Sequence, residues 1–212
     1  MIEHLLPEQI EQRSFEIIDG ELEKRGIVLP KEQEMITKRV IHTTADFEYT
    51  DTLTFSEGAV GIAREFLKKG ADIVTDTNMA LSGINKRSLA GLGGEVHCYM
   101  ADETVAKLAK ERGTTRAAVS MEMAAKIQKP VIFVVGNAPT ALIQIYEMMQ
   151  GSDWRPAFVI GVPVGFVNVE AAKELILQTD VPFIINRGRK GGSNVAAAIC
   201  NALIYELTRN RS

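Results

Sequence analysis

Two stretches of this 212-residue chain place residue types that can do chemistry at close spacing. One is Arg187-Gly188-Arg189-Lys190-Gly191-Gly192-Ser193-Asn194, between a predicted strand and the last predicted helix. Its glycines would free backbone N–H groups, Ser193 or Asn194 can cap the helix, and three cations add charge, which together describe an anion site. A solvated basic turn is the plainer reading. The coincidence of glycines, cap and cations with a strand end favours the anion site. The spacing Gly-x-x-x-x-Gly-Lys-Ser/Thr is absent, and Gly91-Leu92-Gly93-Gly94 precedes a strand where a dinucleotide motif would follow one, so neither nucleotide motif is met. The other stretch holds His42, three residues after Arg39 on one face of a predicted helix, near its C-terminal end. Asp46, Glu48, Asp51 and Glu57 follow it without metal-ligand spacing and read as a solvated loop. His4 is close to a terminus, and His97 falls mid-strand, where a packed imidazole is the simpler reading.

The elements that position these residues follow from pattern. Helices are predicted over Pro7 to Arg25, stopped by Gly26, over Lys31 to about Thr43, and over about Glu57 to Lys69 with Ser56 as N-cap. After Gly70, apolar runs alternate with helical stretches. Strands are expected at Asp72–Thr75, Glu95–Met100, Val131–Val135, Phe158–Ile160 and Phe183–Ile185. Helices are expected at Glu103–Glu111, Thr115–Ile127, Thr140–Gln150, Val169–Gln178 and Asn194–Thr208. Continuous apolar strands separated by helices predict a five-stranded parallel sheet covered on both faces, with extra N-terminal helices. Ligands of such sheets bind outside the carboxyl ends of the strands, near the reversal of strand order. Asp76-Thr77-Asn78-Met79, Gly136-Asn137-Ala138-Pro139-Thr140, Gly161-Val162-Pro163-Val164-Gly165-Phe166 and the arginine loop should therefore border the site.

Composition excludes several classes. The formal net charge is −3, with 46% hydrophobic and 24% charged residues, which fits an ordinary globular domain and not a strongly basic nucleic-acid wrapper. Cys98 and Cys200 stand alone in apolar segments and suit a reducing compartment. The acidic first twenty residues do not resemble a signal peptide, and the longest apolar stretch, Ala157 to Val167, is too short to span a bilayer. A single domain over residues 1–212 is expected, cytoplasmic and without a membrane or nucleic-acid partner.

Taken together and in order, six segments resemble the precorrin-8X methylmutase family of cobalamin biosynthesis, also called precorrin isomerase or cobalt-precorrin-8 methylmutase. They are Glu11-Gln12-Arg13-Ser14-Phe15, Arg39-Val40-Ile41-His42-Thr43-Thr44, Asp76-Thr77-Asn78-Met79, Gly136-Asn137-Ala138-Pro139-Thr140-Ala141-Leu142, Gly161-Val162-Pro163-Val164-Gly165-Phe166-Val167 and Arg187-Gly188-Arg189-Lys190-Gly191-Gly192-Ser193. The resemblance implies a flavodoxin-like three-layer α/β/α fold and a homodimer with its tetrapyrrole-derived substrate near the interface. It also implies a cofactor-free isomerisation that moves a methyl group from C11 to C12, giving hydrogenobyrinate or cobyrinate. By residue match, His42 corresponds to the proton donor/acceptor, and Ser14 and Arg39 to substrate-binding positions. Loop position and charge add Arg116, Asn137, Arg187, Arg189 and Ser193 as expected substrate contacts. Asn168 departs from the pattern, since some relatives have glycine there, and this leaves the start of the next helix open. A flavin- or phosphate-binding module, with Gly191-Gly192-Ser193 holding the phosphate, and a non-catalytic tetrapyrrole carrier are the competing readings.

Overall fold

The computed structural model describes residues 6–208, so His4 lies outside the described residues. Helices α1 (Pro7–Lys24), α2 (Glu34–Thr44) and α3 (Tyr49–Thr52) open the chain, followed by strand β1 (Leu53–Phe55) and α4 (Ala59–Lys68). Then come β2 (Asp72–Thr75), α5 (Asn78–Gly83), α6 (Lys86–Ala90), β3 (Val96–His97), α7 (Glu103–Arg112) and α8 (Arg116–Ala124). The last third alternates: β4 (Val131–Val135), α9 (Pro139–Gly151), β5 (Phe158–Gly161), α10 (Val169–Leu177), β6 (Phe183–Asn186) and α11 (Ser193–Thr208).

The sheet is mixed and six-stranded, in the order β1-β6-β5-β4-β2-β3, and this corrects the expected five parallel strands. Five of the six are mutually parallel, and β1 runs antiparallel to β6 with Leu53 opposite Asn186 and Phe55 opposite Ile184. Three residues carry too few alternations to register as a strand in the sequence; the pairing with β6 creates it. Strand β3 is confined to Val96–His97 instead of Glu95–Met100. Ser56 does not cap α4. Its hydroxyl accepts from the Phe183 N–H at 2.9 Å, and α4 begins instead after Gly58, whose φ is +64°. Asn168 takes a left-handed φ of +60° immediately before α10, a conformation asparagine tolerates better than most residues, so the helix starts at Val169 as read.

Alternate strand residues feed two cores, as a period of two requires. Ile73, Ile132, Val134, Ile160 and Ile184 pack beneath α11 and α4, while Val74, Phe133, Val135, Val159 and Ile185 pack beneath α8, α9 and α10. Helix α2 lies across α11, and α1 lies across α2. Helices thus cover both sheet faces, and the N-terminal pair adds a further cover over α11. Because β1 starts opposite the end of β6, the segment joining α2 to β1 lies at the carboxyl ends of the parallel strands. That places the C-terminal end of α2, with His42, at the edge that carries the loops.

Candidate active site

Counting only the parallel strands in chain order, the arrangement is 2-1-3-4-5, so strand order reverses between β2 and β4. The crevice expected there is filled by the chain itself. Asp76, fully buried at the end of β2, accepts hydrogen bonds from the backbone N–H groups of Gly136, Asn137 and Ala138 at 2.8, 2.8 and 2.6 Å. Burial pushes this carboxyl upward, against the three donors, which favour the ionised form. The β4–α9 loop therefore spends its N–H groups on an internal acid and keeps only the exposed Asn137 side chain for a ligand.

The glycines of the arginine loop have a similarly internal use. A Cβ on Gly191 would lie 2.0 Å from the Val162 carbonyl oxygen, and Gly192 N–H donates to that same oxygen at 2.8 Å. On Gly136 a Cβ would meet Ser193 Cα at 2.9 Å, and the Ser193 hydroxyl lies 2.8 Å from that of Thr77. The loops after β4, β5 and β6 thus interlock through bare backbone, and the one after β2 joins them through the Asp76 and Thr77 side chains. This removes Gly191-Gly192-Ser193 as a phosphate holder, and with it the structural support for the flavin alternative. The Ser193 side chain is buried against Thr77.

All three cations of the loop are paired with carboxylates. Arg189 Nε is 2.7 Å from Glu170 and Arg187 Nε is 3.9 Å from Glu174, both acids lying on α10. Lys190 Nζ donates to Asp46 and Glu48 at 2.6 Å each. Two of the acids after His42, Asp46 and Glu48, therefore clamp Lys190 and hold the end of α2 against the arginine loop, while Asp51 and Glu57 are solvent-exposed as read. Hydrogen bonds from Lys190 keep Asp46 below the usual carboxylate range. Arg187 and Arg189 are exposed pairs, worth little in water and readily given up to a ligand carboxylate.

His42 is exposed and opens onto a cavity of about 350 Å³ between α1, α2, α5 and α11, lined by Glu11, Arg39, Thr43, Gly83, Asn194 and Tyr205 among others. Its ring packs on Phe15, with centroids 5.4 Å apart. Arg39 is well buried and lies between two aromatic faces, 5.4 Å from the Phe15 centroid and 5.0 Å from that of Tyr205. Its Nη2 meets Glu11 at 2.8 Å, and its buried Nε has no partner among the described residues. Held this way, the guanidinium points a fixed fork at the cavity, an arrangement suited to a carboxylate.

The structure brings His42 and Arg39 together, with Ser14 nearby on α1, one helical turn after Glu11, where its hydroxyl donates to the Ile10 carbonyl at 2.8 Å. Arg187 and Arg189 join them only through the clamped loop. Arg116 and Asn137 stand apart, at the starts of α8 and α9, which a Thr115–Thr140 hydroxyl contact of 2.9 Å ties together on the opposite sheet face. Sequence reasoning did not assign Asn201 or Tyr205 to the site, and it named Glu11 and Asn194 only within longer segments. Asn194, Asn201 and Tyr205 fall with Ala198 at spacings of four, three and four along α11, a stripe that helical periodicity could have exposed. Among the described residues, no group of three or more His, Cys, Asp or Glu is placed to hold a metal ion.

An α/β sheet with a histidine and a buried arginine set in a cavity at its carboxyl edge defines the class of site, and comparison with known proteins assigns it. The family model for precorrin-8X methylmutase matches residues 9–206, and the chain belongs to that family. Cobalt-precorrin-8 methylmutase of Salmonella typhimurium is 45% identical over 206 residues, covering 95% of this chain and 96% of that protein. Precorrin-8X methylmutase of Pseudomonas aeruginosa is 38% identical, covering 97% and 99%. The solved precorrin-8x methyl mutase of Thermus thermophilus superposes with a TM-score of 0.85 at 36% identity, over 95% of this chain and 98% of that one.

Proposed function

We propose that this protein is an intramolecular transferase that shifts the C11 methyl group of precorrin-8X or cobalt-precorrin-8 to C12, giving hydrogenobyrinate or cobyrinate. The observation that carries this reading is His42, exposed at the mouth of a cavity whose other wall is the aromatic-sandwiched Arg39. A methyl shift within one macrocycle transfers no electron to a partner and no group to water. It needs a proton placed on the ring system, which draws electrons from the migrating framework, and a proton returned afterwards. His42 performs both steps as acid and then base.

Arg39 and Ser14 hold substrate beside His42, with Arg187, Arg189, Asn137 and Arg116 as further contacts to the acid arms. A cavity of about 350 Å³ sits at the low end of ligand pockets, roughly 300–1,000 Å³, and admits only part of a tetrapyrrole. The rest lies over exposed apolar side chains at the carboxyl edge, Met79 on α5 and Val164, Phe166 and Val167 on the loop after β5, or against a second copy of the chain. The active form is accordingly a homodimer with its sites near the interface. The parallel strands, in the order 2-1-3-4-5, are a flavodoxin-like doubly wound sheet with β1 added at one edge. The enzyme works in the cytoplasm, as two unpaired cysteines suit.

The test is direct. Purified protein, dialysed against chelator, is mixed with metal-free or cobalt-containing substrate and followed by absorbance with no other additive. Conversion of either substrate is expected. Conversion of neither, or conversion only after addition of a nucleotide, a flavin or a protein-bound metal, would overturn the reading.

A further inference from the structure

Lys173 lies on the inward face of α10 and is wholly shielded from solvent. A lysine so placed ordinarily has an acid beside it. Here Nζ donates to two backbone carbonyls of the arginine loop, Gly188 at 2.6 Å and Lys190 at 2.9 Å. Among the described residues no carboxylate lies within ion-pair distance of it; Glu170, three residues earlier, is bonded to Arg189. Asn186 Nδ2 reaches the same Lys190 carbonyl at 2.9 Å and that of Arg187 at 3.2 Å. Gly188, at φ +71°, makes the bend that turns these carbonyls inward while Arg187, Arg189 and Lys190 project outward.

We propose that Lys173 is the positioning residue of a carboxylate-binding loop: its buried ammonium, bonded only to loop carbonyls, fixes Arg187 and Arg189 in their outward pose. It also leaves a positive charge beneath the loop that a substrate carboxylate seated there compensates. The inference rests on the reading of the arginine loop as a substrate contact. It explains why an unpaired charge is kept inside the fold, since burial of a lone ammonium is unfavourable unless something outside completes the pair.

Burial pushes the Lys173 ammonium down to about 8, partly offset by Glu170. Around it stand Glu170 and Glu174 on its own helix, Arg187, Arg189 and Lys190 on the loop, and Asp46 and Glu48 behind Lys190; α9, which packs against α10, carries the exposed Glu147. Its hydrogen bonds to Asp46 and Glu48 hold Lys190 above the usual lysine range, so the charge lost from this region as pH passes 8 is that of Lys173.

The experiment measures product affinity, single-turnover conversion and thermal unfolding for wild type, Lys173→Met and Lys173→Arg across the alkaline range. Lys173→Met should bind product roughly tenfold or more weakly, the loss expected when a charge-assisted hydrogen bond is removed, while conversion per bound complex stays near wild type. Lys173→Arg should recover part of the affinity. Wild-type affinity should fall as pH rises through about 8, and this limb should be missing from Lys173→Met. The contribution to folding has the opposite sign: between about pH 8 and 10 an unfolded lysine keeps a proton that the native one has lost, so stability rises there. A structural role alone would move unfolding and leave affinity flat. Unchanged product affinity in a folded Lys173→Met overturns the proposal. Should that variant not fold, a wild-type affinity independent of pH through 8 does the same. Wild type that binds neither product form would instead strike at the function of the site, and the proposal would fall with it.

Discussion

The imidazoles of the two described histidines face opposite ends of the sheet, since His97 closes β3 level with Val74 but its ring reaches back to Asp72, and the one with the more catalytic-looking partner is in the wrong place. His97 Nε2 lies 3.4 Å from the buried Asp72, and its ring stacks on Tyr99 at 6.2 Å, a pairing that resembles an acid–base dyad. Asp72, however, stands at the amino end of β2, where it also accepts from Lys129 at 2.9 Å and from the Glu95 N–H at 3.0 Å. Burial would raise its carboxyl, but Lys129, the Glu95 N–H and His97 together hold it below the usual carboxylate range. That cluster closes the bottom of the sheet. Among the described residues no carboxylate contacts His42, which has an aromatic neighbour and an arginine one turn away, yet it faces a cavity at the carboxyl edge. Position relative to the strand ends, and not the quality of a side-chain pair, separates chemistry from architecture in this fold.

The widest separation should come from exchanging the two imidazoles for methyl groups. His42→Ala should fold and bind product but lose single-turnover conversion by at least about 10², the lower range of general acid–base catalysis, whereas His97→Ala should keep conversion near wild type. Near-normal conversion by His42→Ala would reject it as the proton carrier. Next, the Arg187→Ala, Arg189→Ala pair should weaken product affinity by roughly 1–3 kcal/mol with conversion per complex intact, read by titration. Equal affinity would remove the loop from the site. Asp72→Asn should act on the fold instead, costing about 1–3 kcal/mol in denaturant titration because buried partners lose a charged acceptor. Since the folded Asp72 carboxyl is lowered, its contribution is present above the unfolded value and is lost as pH falls through the folded one; the mutant should therefore show less acid sensitivity. The smallest effect is opposite in sign. Glu11→Gln releases Arg39 from its internal acid and should tighten product binding by a few-fold, the scale of a half-exposed ion pair, and weaker binding would make Glu11 a support for Arg39 instead of a competitor.

Much of this arrangement was legible in the chain. Continuous apolar runs such as Val131–Val135 mark buried parallel strands because both faces of each strand are covered. His42 and Arg39 could be placed on one helical face from spacing alone. Three things could not be read. Leu53–Phe55 has no strand pattern of its own and exists through β6. The glycines after β6 serve a close contact with Val162 about thirty residues away, and sequence composition cannot distinguish that from a ligand contact. The destination of Asp76 was equally hidden, since three N–H groups belonging to another loop decide it.

The two strands at the margins of the sheet, β1 with three residues and β3 with two, have a consequence for how copies of this protein can meet. A longer border strand would offer a row of open backbone groups on which a neighbour could template itself, the usual route to runaway stacking. Here each border is a stub, too brief to recruit another chain by main-chain bonding. Any stable pairing must instead be read out through side chains, so partner choice is written in surface chemistry, where single substitutions can tune or abolish it without disturbing the sheet.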